Sequence, residues 1–224
     1  TDKKIDLFTV GNDSQLDLVL AKYDVLGSIA HAKMLHKINL LTAEETANLV
    51  SELEAILEEI EKGNFTIEDS FEDVHSKVEY LLTEKLGDTG KKIHTARSRN
   101  DQVLTDVHLF LKAELSEIKL QTKELFTELI TLSKKHQNVL IPGYTHFQVA
   151  MPSSFGMWFS AYAEILIDDM TQLNAALQIV DQNPLGSAAG YGSSFPIDRT
   201  FTTELLGFKT LKYNSVAAQM SRGK

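Results

Sequence analysis

The chain has 224 residues, of which 43% are hydrophobic and 24% are charged, and this composition is ordinary for a soluble globular protein of one large or two small domains. Its net charge of −9 opposes binding to nucleic acid or to an anionic membrane surface. Cysteine is absent, which excludes disulfide bonds and thiol catalysis and is compatible with the cytoplasmic location that we expect.

Two helices are predicted in the first part of the chain. Apolar residues recur at helical spacing from Leu16 to Leu35 and predict the first helix. Thr42 and Glu45 have the spacing of a capping box, which predicts the start of a second helix. Gly63 is expected to end that helix.

A third helix is predicted from a similar pattern. Ser70 and Asp73 repeat the capping-box spacing, and an apolar face follows them as far as Gly87. Together the three helices predict a small N-terminal helical domain over residues 1–95.

The middle of the sequence predicts two long helices. Residues 101–139 contain neither glycine nor proline, and a helix of that length runs about 58 Å at a rise of 1.5 Å per residue. Residues 153–181 form a second apolar-rich segment with helical periodicity. Because helices of this length usually belong to bundles, we expect residues 96–224 to be the first part of a long-helix bundle and the fold to be all-α.

Two arginines, an amide and a hydroxyl lie together at the start of the first long helix. Arg97 and Arg99 carry planar guanidinium groups that pair with carboxylates through two hydrogen bonds. Ser98 and Asn100 lie beside the free N–H groups that a helix N-terminus offers to anions. The pattern favours a binding site for a substrate with two carboxylates. A basic helix start paired with surface acids is the alternative.

A second block of polar residues follows the first long helix. Two prolines and a glycine within residues 142–152 exclude a regular helix. Thr145 and His146 are therefore expected on a rigid bend between two helices, where a histidine is suited to proton transfer. A histidine that is merely exposed on a loop is the alternative. The glycine-rich residues 183–199 predict a loop that either lines a site or links two helices.

These blocks resemble the argininosuccinate lyase branch of the fumarase/aspartase superfamily. His94, Thr95 and Arg97, followed by Ser-Arg-Asn-Asp-Gln at residues 98–102, are similar to the signature of that branch. Gly-Tyr-Thr-His-x-Gln-x-Ala-x-Pro at residues 143–152 resembles its second block. The string at residues 98–102 is the specific part, because other branches share only the Thr-His-x-Gln theme.

The resemblance implies an all-α fold and the reversible β-elimination of argininosuccinate to arginine and fumarate. It implies no metal and no organic cofactor, a small-molecule substrate with no nucleic-acid or membrane partner, and a homotetramer whose active sites are shared between subunits. His146 is the implied catalytic acid, or the residue that orients the catalytic water or partner. The residues implied in substrate binding are Asp73, His75, Arg97, Ser98, Arg99, Asn100 and Thr145.

The sequence departs from the family pattern in two ways. The family's third block, a Gly-Ser-Ser-x-Met-Pro-x-Lys-x-Asn loop whose serine is taken as the catalytic base, does not occur, and residues 192–194 resemble it only superficially. We therefore expect the chain to be roughly the N-terminal half of a longer enzyme and to be inactive alone. Val149, Met151 and Asp13 replace residues expected at the substrate. This leaves open a related lyase that acts on an N-acylated or other succinylated compound, and a non-catalytic crystallin-like relative.

Overall fold

The computed structural model describes residues 11–68 and 70–222, together with residues 5 and 8. The helices of the first part are α1 (Asp13–Lys37), α2 (Ala43–Glu61), α3 (Val74–Leu86) and the single turn α4 (Asp88–Lys91), followed by a 3-10 turn (Lys92–His94). The later elements are α5 (Arg99–Lys135), β1 (Leu140–Thr145), β2 (Gln148–Ser154), α6 (Phe155–Val180), β3 (Gln182–Asn183), α7 (Arg199–Leu205), β4 (Thr210–Leu211) and α8 (Ser215–Met220). The all-α fold class is confirmed, with short strands added to it. No described helix is long and apolar enough to cross a membrane.

The chain divides into two compact units. The first unit comprises Thr1–Phe110 and Asp181–Lys224, and the second comprises Leu111–Val180. Helix α5 contributes residues to both units. The sequence predicts a domain boundary after residue 95, whereas the first compact unit extends to Phe110 and also includes Asp181–Lys224. The domain boundary after residue 95 remains a prediction.

The first unit is built around the packed helices α1, α2 and α3. Leu49 and Leu53 of α2 and Leu82 of α3 are fully buried, and they share one apolar core with Val25 and Leu35 of α1. The spacing of four residues between the two leucines of α2 places both on one helix face. This core fixes α1 against α3.

The starts of α2 and α3 test the two predicted capping boxes. The first prediction is confirmed, because Thr42 Oγ1 accepts the Glu45 N–H at 3.2 Å while the Glu45 carboxylate accepts the Thr42 N–H at 2.9 Å. The second prediction is wrong. Asp73, rather than Ser70, is the N-cap of α3, and its carboxylate accepts the Ser76 N–H at 2.8 Å. Aspartate at the N-cap satisfies a free helix N–H as well as serine does, so the pattern alone did not fix the register.

Both long helices are confirmed, with slightly different ends. Helix α5 runs without a break over Arg99–Lys135, and α6 covers Phe155–Val180. Near the end of α5, Ser133 Oγ donates a hydrogen bond to the carbonyl of Gly156 at 2.7 Å. A Cβ on Gly156 would lie 2.6 Å from the Cα of Gln137, so glycine permits this close approach.

The bend predicted between the two long helices is instead a β-hairpin. Strands β1 and β2 pair antiparallel, with Pro142 opposite Pro152 and an irregularity between Pro142 and Tyr144. Two prolines face each other only where the ladder requires no N–H. A Cβ on Gly143 would lie 2.8 Å from the Met151 carbonyl oxygen, so the glycine permits the irregular pairing. The sequence excluded a helix correctly, but it did not predict the strands.

The second unit exposes many large apolar side chains. On α5 these are Ile118, Leu120 and Leu125, and on α6 they are Phe155, Met157, Trp158, Tyr162, Ile165, Ile167 and Ile179. Many exposed apolar side chains on long helices are typical of a face that another polypeptide covers.

Candidate active site

The N-terminus of α5 is organised by its own side chains. Ser98 Oγ accepts the Asn100 N–H at 3.2 Å, as an N-cap side chain does. Asp101 Oδ1 accepts the Ser98 N–H at 2.9 Å, which completes a reciprocal cap. The Asn100 side chain remains exposed, with Arg222 at 3.3 Å from its Oδ1. The cap holds Ser98 and Asn100 in place at the positive end of the helix dipole.

Arg99 is fixed by the N-terminus of α3. Its guanidinium donates to Asp73 Oδ2 at 2.7 Å and to Ser76 Oγ at 3.3 Å. The other carboxylate oxygen of Asp73 accepts from the Ser76 hydroxyl at 2.7 Å. The Arg99 side chain is still 40% exposed, and a guanidinium has five N–H donors. Arg99 therefore has donors left for a ligand, whereas both oxygens of Asp73 are occupied.

Asp101 joins the start of α5 to the glycine-rich loop. Its buried carboxylate accepts the N–H groups of Gly186 at 2.8 Å and of Ala188 at 2.9 Å. Arg199 holds the same loop by donating its Nε–H to the Leu185 carbonyl at 2.9 Å. Burial raises the pKa of Asp101, and its hydrogen bonds from backbone N–H groups oppose that rise. The loop is thus held against the signature segment.

A cluster of buried polar side chains lies where α1, α3 and α5 meet. The Nδ1 of His75 lies 2.8 Å from Asp24 Oδ1 and 3.9 Å from Asp106 Oδ2. The Gln102 amide nitrogen donates a hydrogen bond to the same oxygen of Asp24. All four side chains are buried. Both oxygens of Asp106 and the Oδ2 of Asp24 have no hydrogen-bond partner within the described part of the chain.

The pKa values of the three titratable groups in this cluster are shifted in different directions. Burial favours a neutral Asp24, but the charge and hydrogen bond of His75, the charge of Arg97 and the hydrogen bond from Gln102 together lower the pKa of that carboxyl. Burial likewise opposes a charge on His75, but Asp24 and, to a smaller extent, Asp73 favour it, so the pKa of His75 is raised. Burial, together with repulsion from Asp24, raises the pKa of Asp106 well above its ordinary value. The arrangement favours an ion pair of His75 with Asp24 beside a neutral Asp106.

Arg97 belongs to the same interior rather than to the open helix start. Its NH1 donates to Ser28 Oγ at 3.0 Å, and its Nε is buried without a partner among the described residues. His31 lies nearby and donates its Nε2–H to the Thr95 carbonyl at 2.8 Å. Burial and the positive charge of Arg97 lower the pKa of His31 to about 3. Arg97 therefore acts on the buried cluster by its charge.

Thr145 and His146 belong to the second compact unit, at the turn of the hairpin. His146 and Phe147 adopt positive φ angles of 50° and 62°, which is the left-handed conformation of a tight turn. Thr145 Oγ1 lies 3.2 Å from His146 Nδ1. Both side chains are exposed, and Phe147 is 99% exposed.

Sequence reasoning missed the interior part of this arrangement. Asp24 is an acid within the apolar Tyr-Asp-Val-Leu segment of α1, and such an acid is seldom buried unless it has a partner. An acid in such an apolar segment is a signal from which the sequence could have identified Asp24. Asp106 and the loop contacts of Asp101 had no local signal, because their partners lie far away in the sequence.

A helix N-terminus lined with Ser, Arg and Asn, on a mainly helical fold, is suited to binding carboxylates. The family described as Lyase matches residues 1–222. The chain therefore belongs to this lyase family.

The chain is similar to curated argininosuccinate lyases. The argininosuccinate lyase of Phocaeicola vulgatus is 60% identical over 223 residues, which cover 100% of this chain and 50% of the relative. That of Bacteroides thetaiotaomicron is 59% identical with the same coverage. The chain spans about half the length of these curated relatives.

Solved structures agree with the fold. An EDDS lyase variant with bound fumarate matches with a TM-score of 0.80 and 26% identity, over 97% of this chain and 43% of the other. A Brucella melitensis protein described as fumarate lyase:delta crystallin, bound to cobalt, matches with a TM-score of 0.76 and 17% identity, over 97% of this chain and 53% of the other. The second likeness concerns the fold alone.

Proposed function

We propose that this chain is the N-terminal half of an argininosuccinate lyase of arginine biosynthesis, which cleaves argininosuccinate reversibly to arginine and fumarate. The observation that carries the proposal is the capped N-terminus of α5, where Ser98, Arg99 and Asn100 are held together by Asp73 and Asp101. Relatives of 58–60% identity that bear the name argininosuccinate lyase support it. They favour it over a lyase for acylated substrates or a non-catalytic relative.

The helix start fits one carboxylate of the succinyl group. Arg99 is already oriented by Asp73 and retains exposed N–H donors. Asn100 adds an exposed amide, and the helix N-terminus adds the positive end of its dipole. Because these donors are fixed before the substrate arrives, little reorganisation opposes binding.

The proposed chemistry requires donors and a proton source. A base takes the proton next to a carboxylate, a role that the resemblance gives to the serine of the family's third block. The dianionic aci-carboxylate that remains is stabilised by donors placed in advance. Arg99, Asn100 and Thr145 are the proposed donors. Collapse of the intermediate breaks the carbon–nitrogen bond, and the departing guanidinium nitrogen takes a proton. His146 is the proposed acid, or it orients the group that supplies the proton. Asp73, His75, Arg97 and Ser98 complete the proposed substrate-binding set, in which Asp73 contributes by orienting Arg99 and Arg97 through its charge on the buried cluster.

We further propose a homotetramer with shared active sites. The exposed apolar faces of α5 and α6 in the second unit support subunit contacts through these helices. The exposed hairpin turn that carries Thr145 and His146 supports its use by a neighbouring subunit.

The experiment is a fumarate absorbance assay of the full-length protein with argininosuccinate. His146→Ala should lower the turnover by about a hundredfold to ten-thousandfold, because a positioned proton donor contributes that much. His36→Ala is the matched control, since His36 is an exposed histidine at the end of α1, and it should leave turnover unchanged.

Two outcomes contradict the proposal. Near-normal turnover in the His146 variant removes that residue from the mechanism. A clear preference of the wild-type protein for the N-acetyl or N-succinyl derivative over argininosuccinate itself refutes the proposed substrate.

A further inference from the structure

Asp24 is a buried acid that contacts one of the proposed substrate-binding residues. Its Oδ1 lies 2.8 Å from His75 Nδ1 and also accepts a hydrogen bond from Gln102. The exposed fractions of Asp24 and Gln102 are 0% and 4%. Because donors from α3 and α5 converge on one oxygen, the carboxylate of Asp24 is fixed relative to both helices.

We propose that Asp24 is a positioning residue that accepts the Nδ1–H of the protonated His75 ring and so leaves Nε2–H as the donor to a substrate carboxylate. This inference rests on the proposed function, because the substrate contact of His75 is part of it. An imidazole has two ring nitrogens, and a carboxylate bonded to one of them determines the orientation of the ring and the role of the other. Among the side chains that the structure describes, none forms a hydrogen bond with Nε2.

The charges around His75 favour the protonated form of its ring, which is the form that binds a carboxylate. The groups facing the ring are Asp24 on α1, Asp106 on α5, Asp73 at the start of α3, and Arg97. Burial and Arg97 act against a charged ring, and Asp24 and Asp73 act for it, with the net effect that the pKa of His75 is raised. Asp106 adds little negative charge, because its own pKa is raised well above the ordinary value. Asp24 is therefore the main source of the effect.

A metal ion is the competing occupant of this cluster. Asp24, His75 and Asp106 present ligand atoms that lie within 4.8 Å of one another. The Arg97 guanidinium acts on both aspartates by its charge, and a fixed cation beside them opposes a second, divalent one. His75 Nδ1 already lies at hydrogen-bond distance from Asp24, so a proton between these two atoms accounts for the geometry.

The test is the titration of His75 by NMR in the full-length protein with labelled histidine, the resonance being assigned with His75→Gln. Asp24→Asn removes the charge with little change of shape and should lower the pKa of His75, because the carboxylate that stabilises the charged ring is lost. The kcat/KM of the wild-type enzyme should fall as the pH rises through the raised pKa of His75, because the neutral ring binds a carboxylate less well. In Asp24→Asn the fall should begin at lower pH, with KM raised about tenfold and kcat nearly unchanged.

Asp106→Asn is the matched control from the same cluster. Since Asp106 favours its neutral form, an asparagine of equal size should leave the His75 titration close to that of the wild type. The proposal is overturned when His75 titrates alike in the wild type and in Asp24→Asn, or when Asp106→Asn changes the titration as strongly as Asp24→Asn.

The wild-type protein gives a measurement that does not depend on folding of the variants. The Nδ1 proton of His75 should appear as a hydrogen-bonded resonance that persists at neutral pH, and its absence overturns the proposal. A stoichiometric metal ion in the purified protein, removed by Asp106→Asn, also overturns it. These readouts need no turnover, so the proposed lyase activity can fail independently of them.

Discussion

Individual acidic residues organise the signature segment from inside the protein. Asp101 receives hydrogen bonds from the N–H groups of Ser98, Gly186 and Ala188. The sequence placed Asp101 in the signature but assigned it no role, because two of its partners lie more than 80 residues away in the chain. The position of the substrate-binding residues predicted in this segment therefore depends on Asp101, an acid that need not contact the substrate.

Replacement of Asp101 with asparagine tests this role. The Asn side chain has one acceptor oxygen, so its NH2 group would face at least one N–H donor. We expect the full-length protein to lose about 3 kcal/mol of unfolding free energy in urea, in line with the cost of unsatisfied buried hydrogen-bonding groups. Asp88→Asn is the control, because Asp88 is exposed and pairs with Lys91 on the surface. Equal stability of the two variants would show that the loop contacts of Asp101 contribute nothing.

At the scale of elements, local signals in the sequence predicted what local contacts decide. The box of Thr42 and Glu45 was predicted because both partners lie three residues apart in one turn. The long helices followed from periodicity and from the absence of glycine and proline. The hairpin did not follow, because its pairing of Pro142 with Pro152 is set by strand register and by the small size of Gly143.

Thr42→Ala measures the contribution of the capping box. Alanine cannot accept a hydrogen bond from the N–H of Glu45, so the first turn of α2 should be less stable. The free energy of unfolding measured in urea should fall by about 1 kcal/mol. Ser51→Ala is the matched control, since Ser51 is exposed on the same helix and away from its end. That change should be neutral or slightly stabilising, because alanine is the better helix former. A larger loss from Ser51→Ala than from Thr42→Ala would contradict the capping role.

For the whole molecule, the sequence predicted a long-helix fold but not the division into compact units. The first unit joins Thr1–Phe110 to Asp181–Lys224, and the contacts of Asp101 with the loop belong to this joining. Such contacts connect segments that are distant in the chain, so no local sequence pattern predicts them. The predicted site residues are correspondingly split, because Thr145 and His146 belong to the second unit.

That split makes the proposed sharing of active sites testable by mixing subunits. Asn100→Ala and His146→Ala should each be inactive when assembled alone. If each site takes Asn100 from one subunit and His146 from another, a random one-to-one mixture should restore about a quarter of the wild-type activity, since each block is intact with a probability of about one half. The measurement is fumarate release after joint refolding of the two full-length variants. The double variant Asn100→Ala/His146→Ala, refolded with either single variant, is the control and should recover nothing. Failure of every mixture to regain activity, while wild-type subunits refolded in parallel do so, would place both residues of each site on the same subunit.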